Sequence, residues 1–447
     1  MNKILYFLYL NISRCSYWLQ RHVTGNGWLF LACLCLSAVI GLDTSQTMAF
    51  QFFCLLLAIG CLAISCCFRF RPKLSAKRQA PRLATAGVEL HYKMVIENLG
   101  DSSQSNLVLF DDIPICYPTF IEFCTWNDPE EQQVSKFDRM IKLFRWQWLM
   151  RKKNSAKLSH QQCPDLPVGV TQKIPLQLIP YQRGVLHFSS VTFAKSDPFG
   201  LFRALYSMEC TDTVVILPKR YPLPSLQLAG SRKYQPSGVT LASSVGESQE
   251  FMSLRDYRPG DPPRIIHWRS WAKTGKPVVK EYQDEYFSRH ALILDTNLLS
   301  AGNKCFEESI SVAASLACTV ATQDSLLDLL FVGHKSYCFT AGRGVGHTGK
   351  ILEILASVQP SQAESFSDLS RLVTERASLI SSAVFVFLHW DEQRKDLVSL
   401  MNQRGIPVLA LIISEDETKP LSKNPGTAKA TYHRLHPDHM AKGLAQI

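Results

Sequence analysis

Two long apolar runs near the N-terminus, residues 28–42 and 48–68, restrict the fold more than any other feature of this sequence. The second run is long enough to cross a bilayer as a helix, and the first is slightly shorter. Residues 1–25 contain too many polar side chains to span a bilayer, but their tyrosines and Trp18 suit a cytoplasmic or interfacial segment. The sequence therefore predicts a transmembrane hairpin over residues 26–70.

Basic residues flank this hairpin on both outer sides, whereas the short loop between its two runs has only Asp43 as a charged residue. Arg14 and Arg21 precede the first run, and Arg69 and Arg71 follow the second. The positive-inside rule then places both termini and the soluble remainder in the cytoplasm. The 14 Cys residues form no regular framework of short spacings, which agrees with a reducing compartment. The flanking charges oppose the alternative of a large part outside the cell.

Residues 80–217 show the short alternating patterns that are typical of a β-sandwich. Residues 88–97 alternate between apolar and polar side chains before a turn, and further strands are predicted at 174–179, 184–193 and 213–217. This region is therefore predicted to be a β-sandwich-like domain.

A basic insert at residues 126–165 interrupts the strand pattern. It places Phe137, Ile141, Phe144 and Trp148 on one predicted helical stripe. Such a helix suits an anionic membrane surface or, equally, packing on the sandwich with its basic face in solvent. We expect no nucleic-acid partner, because no known recognition module surrounds the basic side chains.

Residues 218–286 combine a linker rich in Pro, Ser and Gly with the densest run of charged and aromatic residues in the chain. Within it, residues 258–261 read Arg-Pro-Gly-Asp and predict a turn. Asp261 is then the expected N-cap of a helix that ends at Thr274 and Gly275. The charged residues either pin this turn as an ion-pair network or form a docking surface for a partner protein or an anionic ligand, and both roles are compatible.

The same run resembles the signature of a bacterial membrane protein family, the domain of unknown function 58 family. Lys273 stands where the usual signature has arginine, which weakens any role for a guanidinium there. The resemblance implies a bacterial inner-membrane location and association with MoxR-type AAA+ ATPases and transglutaminase-like membrane proteins. The matching positions that we take as a signature or docking set are Glu250, Arg255, Tyr257, Arg258, Pro259, Gly260, Asp261, Arg264 and Trp268.

From residue 287 to 447, predicted strands alternate with predicted helices, which indicates a parallel sheet covered on both faces. This part resembles a von Willebrand factor type A domain, whose metal site begins with Asp-x-Ser-x-Ser after the first strand. Asp295 is present, but Asn297 and Leu299 replace the two serines. Asp391, after the predicted strand 383–388, is the second candidate ligand, and Mg²⁺ is the ion that such oxygen ligands would hold.

A glycine-rich stretch at residues 344–350 imitates a phosphate-binding loop and ends in Lys350. A true loop of this kind needs Ser or Thr next, to reach Mg²⁺, but Ile351 follows. A metal- or nucleotide-dependent hydrolase that uses Asp295, Asp391 or this stretch therefore remains the alternative function.

Together these features predict an α/β plus β protein with two transmembrane helices, a β-sandwich-like domain and a von Willebrand factor type A-like domain with a doubly covered parallel sheet. No nucleophile with a matching base is visible, so we expect no enzymatic activity and no cofactor. The leading hypothesis is a non-catalytic inner-membrane scaffold or adaptor whose cytoplasmic domains bind a partner protein, expected to be a MoxR-type AAA+ ATPase.

Overall fold

The computed structural model divides into two compact units, residues 1–217 and 218–447. It describes residues 2–41, 47–125, 140–154, 156–158, 160–224, 251–261, 263, 266–282, 288–297, 303–320, 325–333, 335–341, 345–361, 365–415 and 430–447. Several features predicted from the sequence lie outside these residues, namely Glu250, Arg264, Leu299, Gly344, the linker residues 225–250 and residues 126–139 of the basic insert.

Three helices open the first unit: α1 (Asn2–His22), α2 (Gly25–Gly41) and α3 (Thr47–Phe68). Within α3, Phe50–Phe68 is long and apolar enough to cross a membrane. The apolar part of α2, Gly25–Ile40, is shorter. Among the described residues, α3 is therefore the one helix long enough to cross a membrane. The other predicted span falls on α2, whose apolar part is shorter than that length.

The N-terminal segment is a continuous helix that packs on α4 (Phe120–Thr125) and α5 (Leu143–Lys153). The Tyr9 hydroxyl donates to the carbonyl oxygen of Ile141 at 2.8 Å, and Trp146 Nε1 donates to Ser13 Oγ at 2.9 Å. These contacts join a buried apolar cluster of Tyr9, Leu10, Phe123, Trp146 and Leu149.

The helical stripe predicted for the basic insert is confirmed in part: Ile141 and Trp148 pack on the apolar cluster around Trp146, and Phe137 lies outside the described residues. The buried side chains of α5 are Arg145, Trp146 and Leu149, whereas Phe144 is 45% exposed. Lys142, between Ile141 and Phe144, has a positive φ of 59° and interrupts the helix just before α5 begins.

Two sheets in the first unit enclose one apolar core. The strand orders are β1-β3-β7-β5 and β2-β9-β8-β4-β6. Alternate residues of β3, such as Met94 and Ile96, are fully buried, as the predicted alternation requires. The strands are β1 (Leu74–Gln79), β2 (Leu83–Thr85), β3 (Leu90–Asn98), β4 (Leu107–Asp112), β5 (Ala156–Leu158), β6 (Gln161–Gln162), β7 (Thr171–Pro180), β8 (Gly184–Ser196) and β9 (Arg203–Leu217).

A buried polar network joins the two sheets. Arg78 of β1 binds both carboxylate oxygens of Asp111 of β4, and the Tyr92 hydroxyl of β3 donates to Asp111 Oδ2 at 2.6 Å. Arg78 also donates to the carbonyl oxygen of Cys210 at 2.8 Å. Each buried polar group thus has a partner, which offsets the cost of its burial.

The second unit begins with an antiparallel pair, β10 (Phe251–Asp256) and β11 (Val278–Tyr282), with α6 (Trp268–Thr274) between them. The predicted helix start at Asp261 is wrong, because the N-cap of α6 is His267. Ile266 pairs with Val279 and the His267 amide donates to the carbonyl oxygen of Val278, so backbone pairing with β11 holds these residues outside the helix.

The rest of this unit is a six-stranded sheet in the order β14-β13-β12-β15-β16-β17. All neighbouring strands are parallel except β13 and β14, which are antiparallel. The prediction of a parallel sheet is therefore wrong for this one pair. The predicted final strand at 408–413 is also not the last, because β17 follows it. The elements are β12 (Ser288–Leu294), α7 (Asn303–Val320), β13 (Ser325–Val332), β14 (Ser336–Ala341), α8 (Val345–Ser357), α9 (Ser365–Arg376), β15 (Ser382–Phe387), α10 (Glu392–Gln403), β16 (Val408–Ile413), β17 (Ala430–Leu435) and α11 (Met440–Leu444).

Candidate functional site

The first candidate site lies at the carboxyl edge of the six-stranded sheet, beside the central strands β12 and β15. These strands are parallel neighbours, although β13 and β14 separate them in the chain. In doubly wound sheets, ligands bind outside the carboxyl ends of the strands, where the strand order reverses. Asp295 follows β12 directly, and Asp391 lies between β15 and α10. The structure therefore brings the two predicted metal ligands to the expected edge.

An arginine bridges the two carboxylates. Arg394 contacts Asp295 Oδ2 through Nε at 2.8 Å and through Nη2 at 2.7 Å. Its Nη1 donates to Asp391 Oδ2 at 2.5 Å. The side chains of Arg394 and Asp295 are both only 1% exposed, so this guanidinium is a buried cation between two acidic groups.

Local structure explains why Arg394 points there. Asp391 is the N-cap of α10 and accepts a hydrogen bond from the Arg394 amide at 3.1 Å, which satisfies one of the free amides at the start of the helix. The side chain of Arg394 then returns toward the sheet and lies over the Phe366 ring, 4.3 Å from its centroid. The cap and the ion pair together fix the position of Asp391.

Burial dominates the electrostatics of this cluster. It raises the pKa of the Asp295 carboxyl, while the Arg394 guanidinium and an amide hydrogen bond from Asn297 oppose that rise. Burial also lowers the pKa of the neighbouring His389, and the positive charge of Arg394 adds to this effect. His389 is therefore neutral at physiological pH.

The carboxylate oxygens of Asp295 and Asp391 are not arranged to bind a Mg²⁺ ion. Mg²⁺ requires several oxygen ligands in octahedral geometry, but Arg394 already holds Oδ2 of both Asp295 and Asp391. The amide of Asn297 donates to Asp295 Oδ1 at 3.1 Å. Within the described residues, no group of three or more His, Cys, Asp or Glu side chains is placed to hold a metal ion.

Sequence reasoning missed two residues of this edge, Arg394 and Ser361. Ser361 donates its amide to the carbonyl oxygen of Thr296 at 2.9 Å, and the hydroxyls of these two residues lie 3.0 Å apart. The signal for Arg394 was its spacing of three residues from Asp391, which is the spacing of an N-cap and the amide that it binds. Ser361 follows no predicted strand, so nothing in the sequence pointed to it.

The glycine-rich stretch at 344–350 is not a phosphate-binding loop in this structure. Helix α8 begins at Val345, so all of the stretch after Gly344 is helical. Lys350 is an exposed residue within this helix. A phosphate-binding loop instead presents consecutive backbone amides before its helix begins.

The second candidate site is the hairpin of β10, α6 and β11, which we call the signature hairpin. Arg255 Nη1 and Nη2 donate to the two carboxylate oxygens of Asp261, each at 2.8 Å. Asp261 Oδ2 also accepts from the Arg258 amide at 2.8 Å, and the Asp261 amide donates to the carbonyl oxygen of Arg258 at 3.0 Å. Gly260 has a φ of 108°, which favours glycine at this turn. The predicted turn is therefore confirmed, with Asp261 closing the turn rather than capping a helix.

The hydrogen bonds from Arg255 and from the Arg258 amide hold the pKa of Asp261 at about 2. This carboxylate is consequently ionised throughout the physiological range. Arg255 is 32% exposed, in contrast to the buried Arg394. The Arg255–Asp261 ion pair that holds the turn is therefore close to solvent.

The signature hairpin also exposes aromatic side chains. Trp268 is 61% exposed and stacks on Trp271, with ring centroids 5.2 Å apart and an interplanar angle of 20°. Tyr257 is 36% exposed, and Arg258 and Pro259 are exposed as well. The structure therefore places every described member of the predicted docking set on this hairpin.

Solved structures give little guidance for this chain. The CARDB domain of a Pyrococcus furiosus protein, solved in complex with di-metal ions, covers 33% of this chain at 8% identity and a TM-score of 0.17. A GH20 exo-β-N-acetylglucosaminidase from Vibrio harveyi covers 76% of this chain at 9% identity and the same TM-score of 0.17. TM-scores this low support no argument about fold or function.

Sequence comparisons are more informative. The uncharacterized protein YeaD of Bacillus subtilis (strain 168) is 27% identical over 205 residues, which cover 45% of this chain and 49% of that protein. The match thus spans about half the length of this relative. Residues 253–402, from the signature hairpin to helix α10, match the family model described as "Protein of unknown function DUF58", which agrees with the family that the signature resembles.

Proposed function

We propose that this protein is a non-catalytic membrane scaffold or adaptor whose signature hairpin docks a partner protein. The observation that supports this most is Trp268, which is 61% exposed on a short helix and stacks on the half-buried Trp271. Tryptophan is enriched among the residues that contribute most to protein interfaces, because it buries a large area and loses little conformational entropy.

The charges around this pair indicate the kind of partner. Arg258, Arg269, Lys273 and Lys276 are all exposed on the signature hairpin, and Asp256 is the exposed acidic residue among its described positions. A basic and aromatic surface favours association with an acidic one. The partner surface that we propose is therefore acidic.

The buried cluster at the sheet edge supports a non-catalytic role. A metal-dependent hydrolase needs a metal ion at Asp295 and Asp391, but Arg394 supplies the positive charge there. A nucleotide-dependent hydrolase needs a loop at 344–350, but that stretch is helical from Val345. Both findings count against the alternative function.

We take the partner to be a MoxR-type AAA+ ATPase, as the family resemblance implies. We also propose that α2 and α3 form a transmembrane hairpin in a bacterial inner membrane, with the remaining parts in the cytoplasm. The apolar part of α2, Gly25–Ile40, is slightly short for a span, but local thinning of the bilayer accommodates such helices. In the α/β part, the strands run 3-2-1-4-5-6 in order of their appearance, which supports a doubly wound domain of the von Willebrand factor type A kind.

The test is capture of the full-length protein from membranes of its own cells in mild detergent, with and without ATP. We expect a MoxR-type ATPase to be recovered in an amount that depends on nucleotide, and Trp268→Ala to reduce recovery by about tenfold. Tyr337→Ala is the matched control, because Tyr337 is 46% exposed and stacks on Phe331 at 5.0 Å, outside the signature hairpin. Equal recovery with wild type and Trp268→Ala would refute the proposal.

A further inference from the structure

Helix α1 has an apolar face that no described part of the chain covers. Ile4 is 74% exposed, Phe7 58%, Leu8 49%, Ile12 53% and Trp18 55%. Residues at spacings of three, four and seven lie on the same side of a helix, so these five side chains share one face. A face of this size in water is unfavourable and is typical of a surface that contacts a partner or a membrane.

The opposite face of α1 already has a role. Tyr9 and Leu10 are buried against α4 and α5, and Ser13 accepts the hydrogen bond from Trp146. The exposed face therefore does not arise from a helix that has failed to pack. It is a second apolar face on a helix that is held in place by its first.

Charge indicates what covers this second face. Helix α1 has no acidic residue, whereas Lys3, Arg14 and Arg21 recur at intervals of eleven and seven residues. A helix with 3.6 residues per turn places these three on one flank, next to the exposed apolar face. Lys3 and Arg14 are exposed, whereas Arg21 is already paired with Asp112 at 2.8 Å, so Lys3 and Arg14 are the two that border the exposed face. An apolar face bordered by basic side chains is the pattern of helices that lie in the interface of an anionic bilayer.

The connection to the next helices agrees with this orientation. Only Val23 and Thr24 separate α1 from α2, and α3 follows as the helix of spanning length. Thr24 donates its hydroxyl to the carbonyl oxygen of Gly200 at 2.5 Å, and Val23 pairs with Phe202, so the junction is fixed. The end of α1 must therefore lie close to the start of the proposed hairpin.

We propose that α1 lies in the plane of the bilayer surface and buries Ile4, Phe7, Leu8, Ile12 and Trp18 among anionic lipids. This inference rests on the proposed membrane placement of α3. It assigns to α1 a lipid-binding surface, in addition to its packing on α4 and α5.

The experiment uses the full-length protein in bilayer discs of equal parts phosphatidylcholine and phosphatidylglycerol, with bromine atoms on the upper acyl chains. The fluorescence of Trp18 is obtained as the difference between wild type and Trp18→Phe. We expect brominated lipid to quench this difference signal by about twofold or more, and aqueous acrylamide to quench it weakly. In discs of phosphatidylcholine alone the quenching by bromine decreases, because the basic flank loses its partners.

Trp268→Phe is the matched control, since Trp268 is exposed to a similar extent as Trp18, 61% against 55%. Its difference signal is expected to respond to acrylamide and not to bromine. The inference is overturned if Trp18 responds only to acrylamide. It is also overturned if Trp18 responds to neither quencher while the protein self-associates, because a second copy then covers the face. Extraction with alkaline carbonate distinguishes the membrane placement of α3 from the lipid contact of α1. If the protein stays in the membrane but brominated lipid does not quench Trp18, only the proposed role of α1 is refuted.

Discussion

Two arginine–aspartate contacts in the second unit, one at the sheet edge and one in the signature hairpin, have opposite consequences. At the sheet edge, Arg394 joins Asp295 and Asp391 with its side chain 1% exposed. In the signature hairpin, Arg255 binds Asp261 with its side chain 32% exposed. Both pairs join a guanidinium to a carboxylate through two nitrogen atoms, but Arg394 contacts one oxygen of Asp295 whereas Arg255 contacts both oxygens of Asp261, and the two pairs differ most in burial.

The difference shows which pair serves the fold and which leaves a surface available. A buried ion pair cannot lose one partner without leaving an uncompensated charge in the interior. A pair near solvent contributes little to stability, because water replaces a lost partner. The buried pair thus lies at the edge where doubly wound sheets in general bind ligands, whereas the exposed pair shapes a turn beside the exposed Trp268.

The largest expected effect is that of Arg394→Met. It leaves the Asp295 carboxylate buried without its cation, so we expect a loss of about 3–5 kcal/mol in the free energy of unfolding. Urea denaturation of the full-length protein in mild detergent, followed by fluorescence, measures this loss. The double variant Asp295→Asn with Arg394→Met removes both charges and is expected to regain most of the stability. Equal stability of Arg394→Met and wild type would mean that the pair is not buried in solution.

The second effect is the pH dependence of Arg394→Met. Burial raises the pKa of Asp295, and loss of the opposing guanidinium raises this pKa further. An acid whose pKa is raised on folding favours the folded state below its unfolded pKa, and this contribution disappears as the pH rises through the folded pKa. The deficit of Arg394→Met should therefore be large at neutral pH and smaller in acid, as urea midpoints at several pH values would show. The double variant is the control and should not show this trend.

A smaller effect is expected for Arg255→Ala. The turn loses the two hydrogen bonds from the Arg255 guanidinium to Asp261 but keeps the one from the Arg258 amide. Partner capture should therefore fall, while the urea midpoint changes little. Lys276→Ala, which removes an exposed basic side chain of the same hairpin, is the comparison for a simple loss of charge. If both variants lose capture equally, the geometry of the turn is not what matters.

The smallest expected effect is that of mild acid on the signature hairpin. The pKa of Asp261 is lowered to about 2, so its contribution to stability is present above the ordinary aspartate pKa of about 3.9 and is lost as the pH falls through about 2. Partner capture that depends on this turn should therefore be constant from neutral pH to about pH 5. A strong decrease across this range would assign the interaction to another titrating group.

The alternation of β3 and the positions of residues after β12 and β15 were predicted correctly from the sequence. Asp295 and Asp391 were placed correctly because the ends of parallel strands meet at one edge of a sheet. The role of Arg394 was missed, because a search for oxygen ligands does not consider that a cationic side chain pairs with the two carboxylates. The start of α6 was missed because pairing of Ile266 with Val279 is a contact between residues distant in sequence, which overrides local helix signals.

The most direct test compares the two regions in one assay of ATPase capture by the full-length protein. The double variant Asp295→Asn with Arg394→Met changes the sheet edge, and Trp268→Ala changes the signature hairpin. We expect the double variant to capture the ATPase as wild type does, and Trp268→Ala to capture about tenfold less. Loss of capture by the double variant, with normal capture by Trp268→Ala, would place the functional site at the sheet edge and contradict the proposed role of the signature hairpin.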